Sequence, residues 1–389
     1  MIQQALNTRC IPPLFPTWDR NKTLDMFQRL EYGYVPCKPL SVTSHEGDTE
    51  DCFGGMARYR KVNIHCRLAE ADYPGITLAP QLGDTFVFDI DCYIPSIEKE
   101  QRVPAVIACN DREAFDFGTC PADFLCAQGF AVFNLRYRKI ANDPVNPNGL
   151  TQFEQRGIDH FYYGNHLTAL DKRSRAPHAP GVLALWAWGF SRVADYVTTL
   201  DFVDKTHIIG AGHSRIGKAV LLAGALDNRF ACVYPNASCA GGVSLSRGCG
   251  KETLGSLVGL YPNSDLWFCD NAWQFAHKNY VDEAGEPFDQ HALLACVAPR
   301  KVYVGNADND EYCEAASEYL ACAAANEVYQ QAGGKGFIHP NRFPHTGDTF
   351  HEGDIGYHLR AGHHAFNRDD WALFATFYTS KMKEVKACS

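Results

Sequence analysis

The stretch "HIIGAGHSRIGKAVLLAGAL", residues 207–226, limits what this chain can fold into more than any other. An apolar run ends in glycines, turns within a few residues and continues as an apolar, helix-forming segment. A buried strand, a tight turn and a helix in that order are the unit of a parallel α/β sheet. Three chemistries use such a turn. Gly212 to Lys218 has the phosphate-loop spacing G-x-x-x-x-G-K, Gly210-Ala211-Gly212 could open a dinucleotide fingerprint, and Gly212-His213-Ser214-Arg215 could present a nucleophilic serine. A phosphate loop needs Ser or Thr after its lysine to hold Mg²⁺, and Ala219 stands there. A dinucleotide turn needs Gly or Ala three residues after its second glycine for close helix–strand packing, and Arg215 stands there. The serine turn departs from G-x-S-x-G only in its last glycine, which falls one residue late at Gly217, behind Ile216. It would raise the Ser214 oxygen above the sheet and set the Arg215 backbone N–H at a helix N-terminus, where an oxyanion can be held. The competing structural reading is that Ser214 only caps the helix.

The rest of the chain repeats this rhythm. "RKVNIHCRLA" (60–69) and "DTFVFDIDCYI" (84–94) carry strand signals, and "VPAVIAC" (103–109) is a continuous buried-strand run. A short helix in "ADFLCAQGF" leads to the strand "AVFNLRYR" (131–138), and residues 139–180, rich in Pro and Asn, read as loop. "GVLALWAWGFSRVADYVTTL" (181–200) reads as a long amphipathic helix before the central strand. Later strands are "FACVYPNAS" (230–238), "RKVYVGNA" (300–307) and "IGYHLRA" (355–361), with helical segments at 311–331 and 369–383. Near-continuous apolar strands alternating with helices imply an α/β fold with a mostly parallel central sheet, covered by helices on both faces. With no internal repeat, the economical organisation is one domain over 1–389: N-terminal strands and extension in 1–100, then a catalytic core in 101–389 with insertions near 139–180 and 245–290.

A nucleophilic serine needs a base and an acid to orient it, arriving in this fold in the order Ser, acid, His. Eight histidines follow Ser214. His277 and His291 read as structural. The base is expected after the last strand, where His358 falls inside the strand and His363 and His364 just beyond it. The acid is expected after the preceding strand, and "VYVGNADNDEY" offers Asp308 and Asp310. Six histidines between 339 and 364 show no H-E-x-x-H or other ligand spacing, so neither a metal nor any other cofactor is expected. The formal charge of −9 gives no electrostatic footprint for nucleic acid, and no apolar run reaches membrane length. Sixteen cysteines, scattered without C-x-x-C pairs, read as free thiols. With no signal peptide visible, the expectation is a cytoplasmic protein, or a secreted one if a leader was removed.

"GHSRIGK", preceded by "WAWGFSRVADY" and followed by "NASCAGGVSLSR", "WFCDN", "FDQHALLACVAPR" and "GYHLRAGHHAFNRDDW", resembles the glucuronoyl esterases, carbohydrate esterase family 15, bacterial branch. The likeness is strong over roughly 180–380 and weak at "LEYGYVP" (30–36). It implies an α/β-hydrolase fold without metal, and hydrolysis of the ester between glucuronate on xylan and an alcohol of lignin. By position it implies Ser214 as nucleophile, Arg215 as oxyanion stabiliser and His364 as base. It also implies Lys218 as a contact to sugar hydroxyls, with Glu252 and Trp267 near the uronate pocket. Two departures stand out. Where many members carry the acid as glutamate in a stretch like E-S-G-S-G-G, this chain reads Ala237-Ser238-Cys239-Ala240-Gly241-Gly242. That moves the acid to the next strand, where Asp310 matches the aspartate of some bacterial members. Glu311 and then Tyr312 follow that aspartate where a tryptophan is common, and a carboxylate near a uronate repels it unless it points away.

The expectation is therefore a serine carboxylesterase acting through an acyl-enzyme on a small-molecule or oligosaccharide uronate ester. An acetyl or short-acyl carbohydrate esterase is the alternative within enzymes. A hydrolase-fold carbohydrate-binding protein that has lost catalysis is the alternative outside them.

Overall fold

The computed structural model of the chain describes residues 1–69, 83–98, 100–110, 119–145, 157–163, 175–276 and 288–388. The strands are β1 (Ser41–Glu46), β2 (Glu50–Cys52), β3 (Ala57–Arg67), β4 (Thr85–Pro95), β5 (Val103–Asn110), β6 (Ala131–Arg136), β7 (Val203–His213), β8 (Phe230–Asn236), β9 (Lys301–Ala307), β10 (Thr349–Phe350) and β11 (Ile355–Arg360). They form one sheet in the order β1-β3-β4-β6-β5-β7-β8-β9-β11-β10, with β2 on β3. From β6 to β11 along this order every neighbouring pair is parallel. The N-terminal strands and the short β10 pair antiparallel.

Sequence pattern explains the division. In β3, Val62, Ile64 and Cys66 are buried while Lys61, Asn63 and Arg67 are exposed, the period of two expected when one face meets water. In β6, Ala131 to Leu135 are buried without a break, as a strand covered on both faces requires. β5 lies between β6 and β7, so the chain runs to opposite sides from its end. A crevice at the carboxyl ends of strands opens at such a reversal. Cys109 from β5 and His213 from β7 line that crevice.

Two expectations change. The helix Val182–Val197 is not half-wet: Leu183, Leu185, Trp186, Trp188 and Phe190 are buried on different sides of it, as are most of its small residues. One covering segment comes from the first insertion, where Ala141 O accepts the Trp186 indole N–H at 2.9 Å. The polar residues of the helix are confined to its later turns, where Arg192 is buried and paired with Asp195 at 2.7 Å, and a helix covered on every side is a core helix. Within 139–180, read as loop, a short helix Ile158–Tyr163 buries Ile158, Phe161 and Tyr162. Much of the remainder of that insertion, and His277 in the second one, lie outside the described residues.

Candidate active site

β7 passes into the helix Arg215–Leu226 through Ser214 alone, whose φ of 56° and ψ of −125° are strained for a residue with a side chain. Glycines make so sharp a turn possible. A Cβ on Gly212 would come within 2.6 Å of Ile216 Cγ2, and one on Gly217 within 2.9 Å of Ser238 Cβ and 3.2 Å of Asn236 O. The glycine that falls one place late is therefore required by the end of β8, a contact that the elbow pattern does not encode. The Ser214 N–H donates to Asn236 O at 2.9 Å, tying the candidate nucleophile's backbone to that strand end. Val220, Leu221 and Leu222 hold the helix against the core, fully buried and contributing roughly 1.5–3 kcal/mol apiece. Ser214 makes no side-chain cap bond, which removes the capping reading.

His364 stands in the loop after β11, and its Nδ1 meets Asp310 Oδ2 at 2.7 Å. The other Asp310 oxygen accepts the backbone N–H groups of Tyr312 and Cys313 at 2.9 and 2.7 Å. Burial alone would raise the Asp310 pKa, but the His364 bond and charge and the two backbone donors outweigh it and lower it. The carboxylate therefore stays ionised. Asp308 does not reach the imidazole: it is exposed and accepts from Gly362 N at 2.9 Å and Thr346 Oγ1 at 2.7 Å. His358 is fully buried on Asp370, and His363 is exposed with Nδ1 on Glu311 at 2.6 Å. Of the three histidines left open by chain order, only His364 lines the cleft. Its engaged Nδ1 leaves Nε2 for proton exchange. Among the described residues no hydrogen bond links His364 to Ser214; in sites of this kind that contact tightens when substrate binds.

The cleft holds about 690 Å³ and is lined by Ser214, Arg215, Lys218, Glu252, Trp267, Tyr312 and His364, among others. The guanidinium of Arg215 lies over the Trp267 ring, 5.2 Å from its centre. Lys218 is almost wholly buried, and its ammonium donates to Ser238 O at 2.8 Å, Ala240 O at 2.6 Å and Glu252 Oε1 at 2.8 Å. Those acceptors use all three of its N–H donors. Lys218 thus fixes Glu252 and the turn after β8, and a sugar hydroxyl would have to displace one of them. Glu311 does not line the cleft: its oxygens accept from His363 Nδ1 and His364 N, and Tyr312 takes the place on the cleft wall.

Three residues that sequence reasoning does not assign complete the arrangement. Asp143, fully buried in the segment read as loop, bonds Arg215 Nη1 and accepts from Trp267 Nε1 at 3.2 Å. It sets both side chains at once, and only the turn-like "NDP" marks it in the sequence. His213 has its ring centre 4.5 Å from that of His364 and its Nδ1 on Asn236 Oδ1 at 2.8 Å. Burial first, then the neighbouring His364, push its pKa down to about 4, so it is neutral at pH 7. Glu318, fully buried, accepts from Cys239 N at 2.8 Å, Ser238 Oγ at 3.1 Å and Asn306 Nδ2 at 2.9 Å.

The expectation of free thiols throughout fails at one pair, because Cys239 and Cys313 form a disulfide. Their separation of 74 residues hides it from any spacing rule; only the fold brings the β8 turn beside the loop after β9. These two sulfurs and His364 are the one group among the described residues with metal-ligand proximity, all within 4.8 Å. Bonded to each other, the sulfurs offer no thiolates.

A strained serine at a strand–helix turn, an Asp–His pair and a helix N-terminus on one cleft can carry out acyl transfer. Similarity to known proteins places the chain in a family. The family model described as "Glucuronyl esterase, fungi" matches residues 79–333. The chain is 35% identical to "Carbohydrate esterase MZ0003" of an unknown prokaryotic organism, over 92% of this chain and 83% of that one. It is 27% identical to the "4-O-methyl-glucuronoyl methylesterase" of Hypocrea jecorina, covering 79% of this chain and, at 56%, little more than half of the fungal protein. Its fold is similar to that of the solved glucuronoyl esterase from Solibacter usitatus, with a TM-score of 0.73, 25% identity and coverage of 93% and 91% of the two chains. The sheet is that of an α/β-hydrolase, the protein is a carboxylic ester hydrolase, and the chain belongs to the glucuronoyl esterases, carbohydrate esterase family 15.

Proposed function

We propose that the protein hydrolyses esters of glucuronic acid of the 4-O-methyl-glucuronoyl type, with Ser214, His364 and Asp310 as its triad. The observation that carries this reading is the strained Ser214 sharing a cleft with a His364 whose Nδ1 is held by a buried, ionised Asp310. His364 Nε2 takes the Ser214 proton as the oxygen attacks the ester carbonyl. The tetrahedral oxyanion is stabilised by the N-terminal N–H groups of the helix Arg215–Leu226 and by the Arg215 guanidinium. Collapse expels the alcohol, which takes the proton from His364. Water then enters by the same proton route and releases the acid. The substrate carboxyl is uncharged as an ester and turns anionic only on the way to product. Arg215 therefore favours the transition state over the ground state, as a catalytic charge should. Glu252, set by Lys218, and Trp267 form the wall for the sugar's hydroxyls and ring face.

Ser214→Ala should keep the fold and lose at least ~10³-fold in kcat on methyl or benzyl glucuronate. A folded Ser214→Ala enzyme with normal turnover defeats the assignment. Faster hydrolysis of acetylated xylan than of the glucuronate esters would move the enzyme to the acetyl esterases.

A further inference from the structure

His364 sits in an irregular loop between β11 and the helix Arg368–Cys388, and a base on a loop needs something to hold it. Arg360, the last residue of β11, is placed to do so. Its Nη2 donates to Ala365 O at 2.6 Å and His363 O at 3.3 Å, the carbonyls on either side of His364. Its Nη1 donates to Ala361 O at 3.0 Å, so one guanidinium gathers the loop backbone at three points. Arg360 Nε is in turn fixed on Asp370 Oδ1 at 2.9 Å.

Asp370 is fully buried in the first turn of the terminal helix. Its Oδ1 also meets His358 Nε2 at 2.9 Å and accepts from Asn236 Nδ2 at 3.4 Å, while its Oδ2 accepts from Asn367 N at 2.9 Å. Asn236 reaches the nucleophile's side. Its backbone carbonyl takes the Ser214 N–H, and its Oδ1 meets His213, whose ring packs on His364.

We propose that Arg360 and Asp370 are positioning residues that set the His364 imidazole against Ser214, with Asp370 as the common anchor of the base loop and the nucleophile turn. Neither residue lines the cleft, so neither touches the sugar or the reacting atoms. The role differs from that of Asp310, which holds the imidazole nitrogen itself. It rests on the triad proposed above, and the test separates the two.

Arg360→Ala, Arg360→Lys and Asp370→Asn are assayed on methyl glucuronate beside Ser214→Ala, with melting temperatures recorded. Arg360→Ala should lose on the order of 10²-fold in kcat, the cost of a base displaced by about an ångström, with KM within about twofold of the parent. Arg360→Lys, which restores the charge and one donor but not the fork, should recover part of that loss, and added guanidinium ion should raise the rate of Arg360→Ala. A merely structural residue would show neither the split between kcat and KM nor the rescue. Should Arg360→Ala not fold, Asp370→Asn and Arg360→Lys decide by the same split. Parental kcat in the folded variants, or a loss confined to KM, overturns the positioning role while an inactive Ser214→Ala leaves the triad standing. An active Ser214→Ala overturns the triad itself.

Discussion

Asp308 and Asp310 stand two residues apart after β9, and only Asp310 meets the imidazole of His364. Asp310→Asn should therefore lose about 10²–10⁴-fold in kcat, because it removes the charge that steadies the imidazolium and fixes its tautomer. Asp308→Asn should change kcat little, since Asp308 binds Thr346 and the Gly362 N–H at the surface. A glutamate at 237, where many family members carry their acid, should not restore Asp310→Asn. Ala237 has a φ of 40°, is buried, and packs against the Cys239–Cys313 bridge, so the bridge occupies the space that a longer side chain needs. Kinetics of the single and double variants on one glucuronate ester check this, and a tenfold gain from Ala237→Glu in the double variant would show that the space is open. Ser214 and the pair of acid candidates are legible in the sequence because each follows a strand end that periodicity identifies. The choice between Asp308 and Asp310 is not legible from the residues themselves, because both follow the same strand and only side-chain direction separates them. The role of Asp143 is not legible beyond its turn-like "NDP": its burial arises from an insertion folding over the cleft, which no local pattern records.

At the scale of elements, the turn from Ala237 to Gly242 after β8 is where the site is assembled. Lys218 draws in its carbonyls from the helix Arg215–Leu226, Glu318 holds Cys239 N from the helix Ala315–Gln331, and the disulfide joins it to the loop that carries Asp310. Closing a loop of 74 residues restricts the unfolded chain by about 4.5 kcal/mol on chain-entropy grounds. Replacing both cysteines by serine should lower the melting temperature by roughly 5 °C in a chain of this size. It should also lower kcat more than it raises KM, because the bridge holds in place the loop whose residue 313 N–H donates to Asp310. Equal melting temperatures with and without the bridge would show that packing alone fixes the turn. The strands around this turn are legible from their continuous apolar runs. The surroundings of the core helix Val182–Val197 are not, because what covers it is distant in sequence. The bridge is hidden for the same reason.

Over the whole molecule, buried titratable groups set how stability follows pH. Glu318 and Glu31 are both fully buried, and burial raises each pKa from 4.5 to about 8, against the opposing pull of their hydrogen bonds and of Lys218. Asp310 and Asp370 shift the other way: burial would raise them too, but their bonds to His364, and to His358 and Arg360, lower them. The signs then follow. Between pH 4.5 and about 8 the unfolded chain has released the Glu318 and Glu31 protons while the native protein still holds them. At each of these two groups the native state binds more protons there, so its contribution to the unfolding free energy declines as pH rises through this window. The lowered aspartates stabilise the fold above their ordinary pKa and lose that contribution only as pH falls below about 4. Burial holds the His213 and His351 imidazoles at about 4, so they pull the other way below their ordinary value of about 6.5, and the decline due to these two glutamates should show chiefly from about pH 6.5 to about pH 8, after which they add no further slope. Glu318→Gln isolates one of them. The difference in melting temperature, variant minus parent, should become more positive from about pH 5 to about pH 8.5, because only the parent must ionise the buried Glu318 carboxyl against Asp310 and the low-dielectric interior, while Glu31 is common to both. Thermal melts at the two pH values decide it. A difference that stays constant would mean that Glu318 keeps an ordinary carboxylate pKa, and that its three hydrogen-bond donors, not its burial, govern its charge.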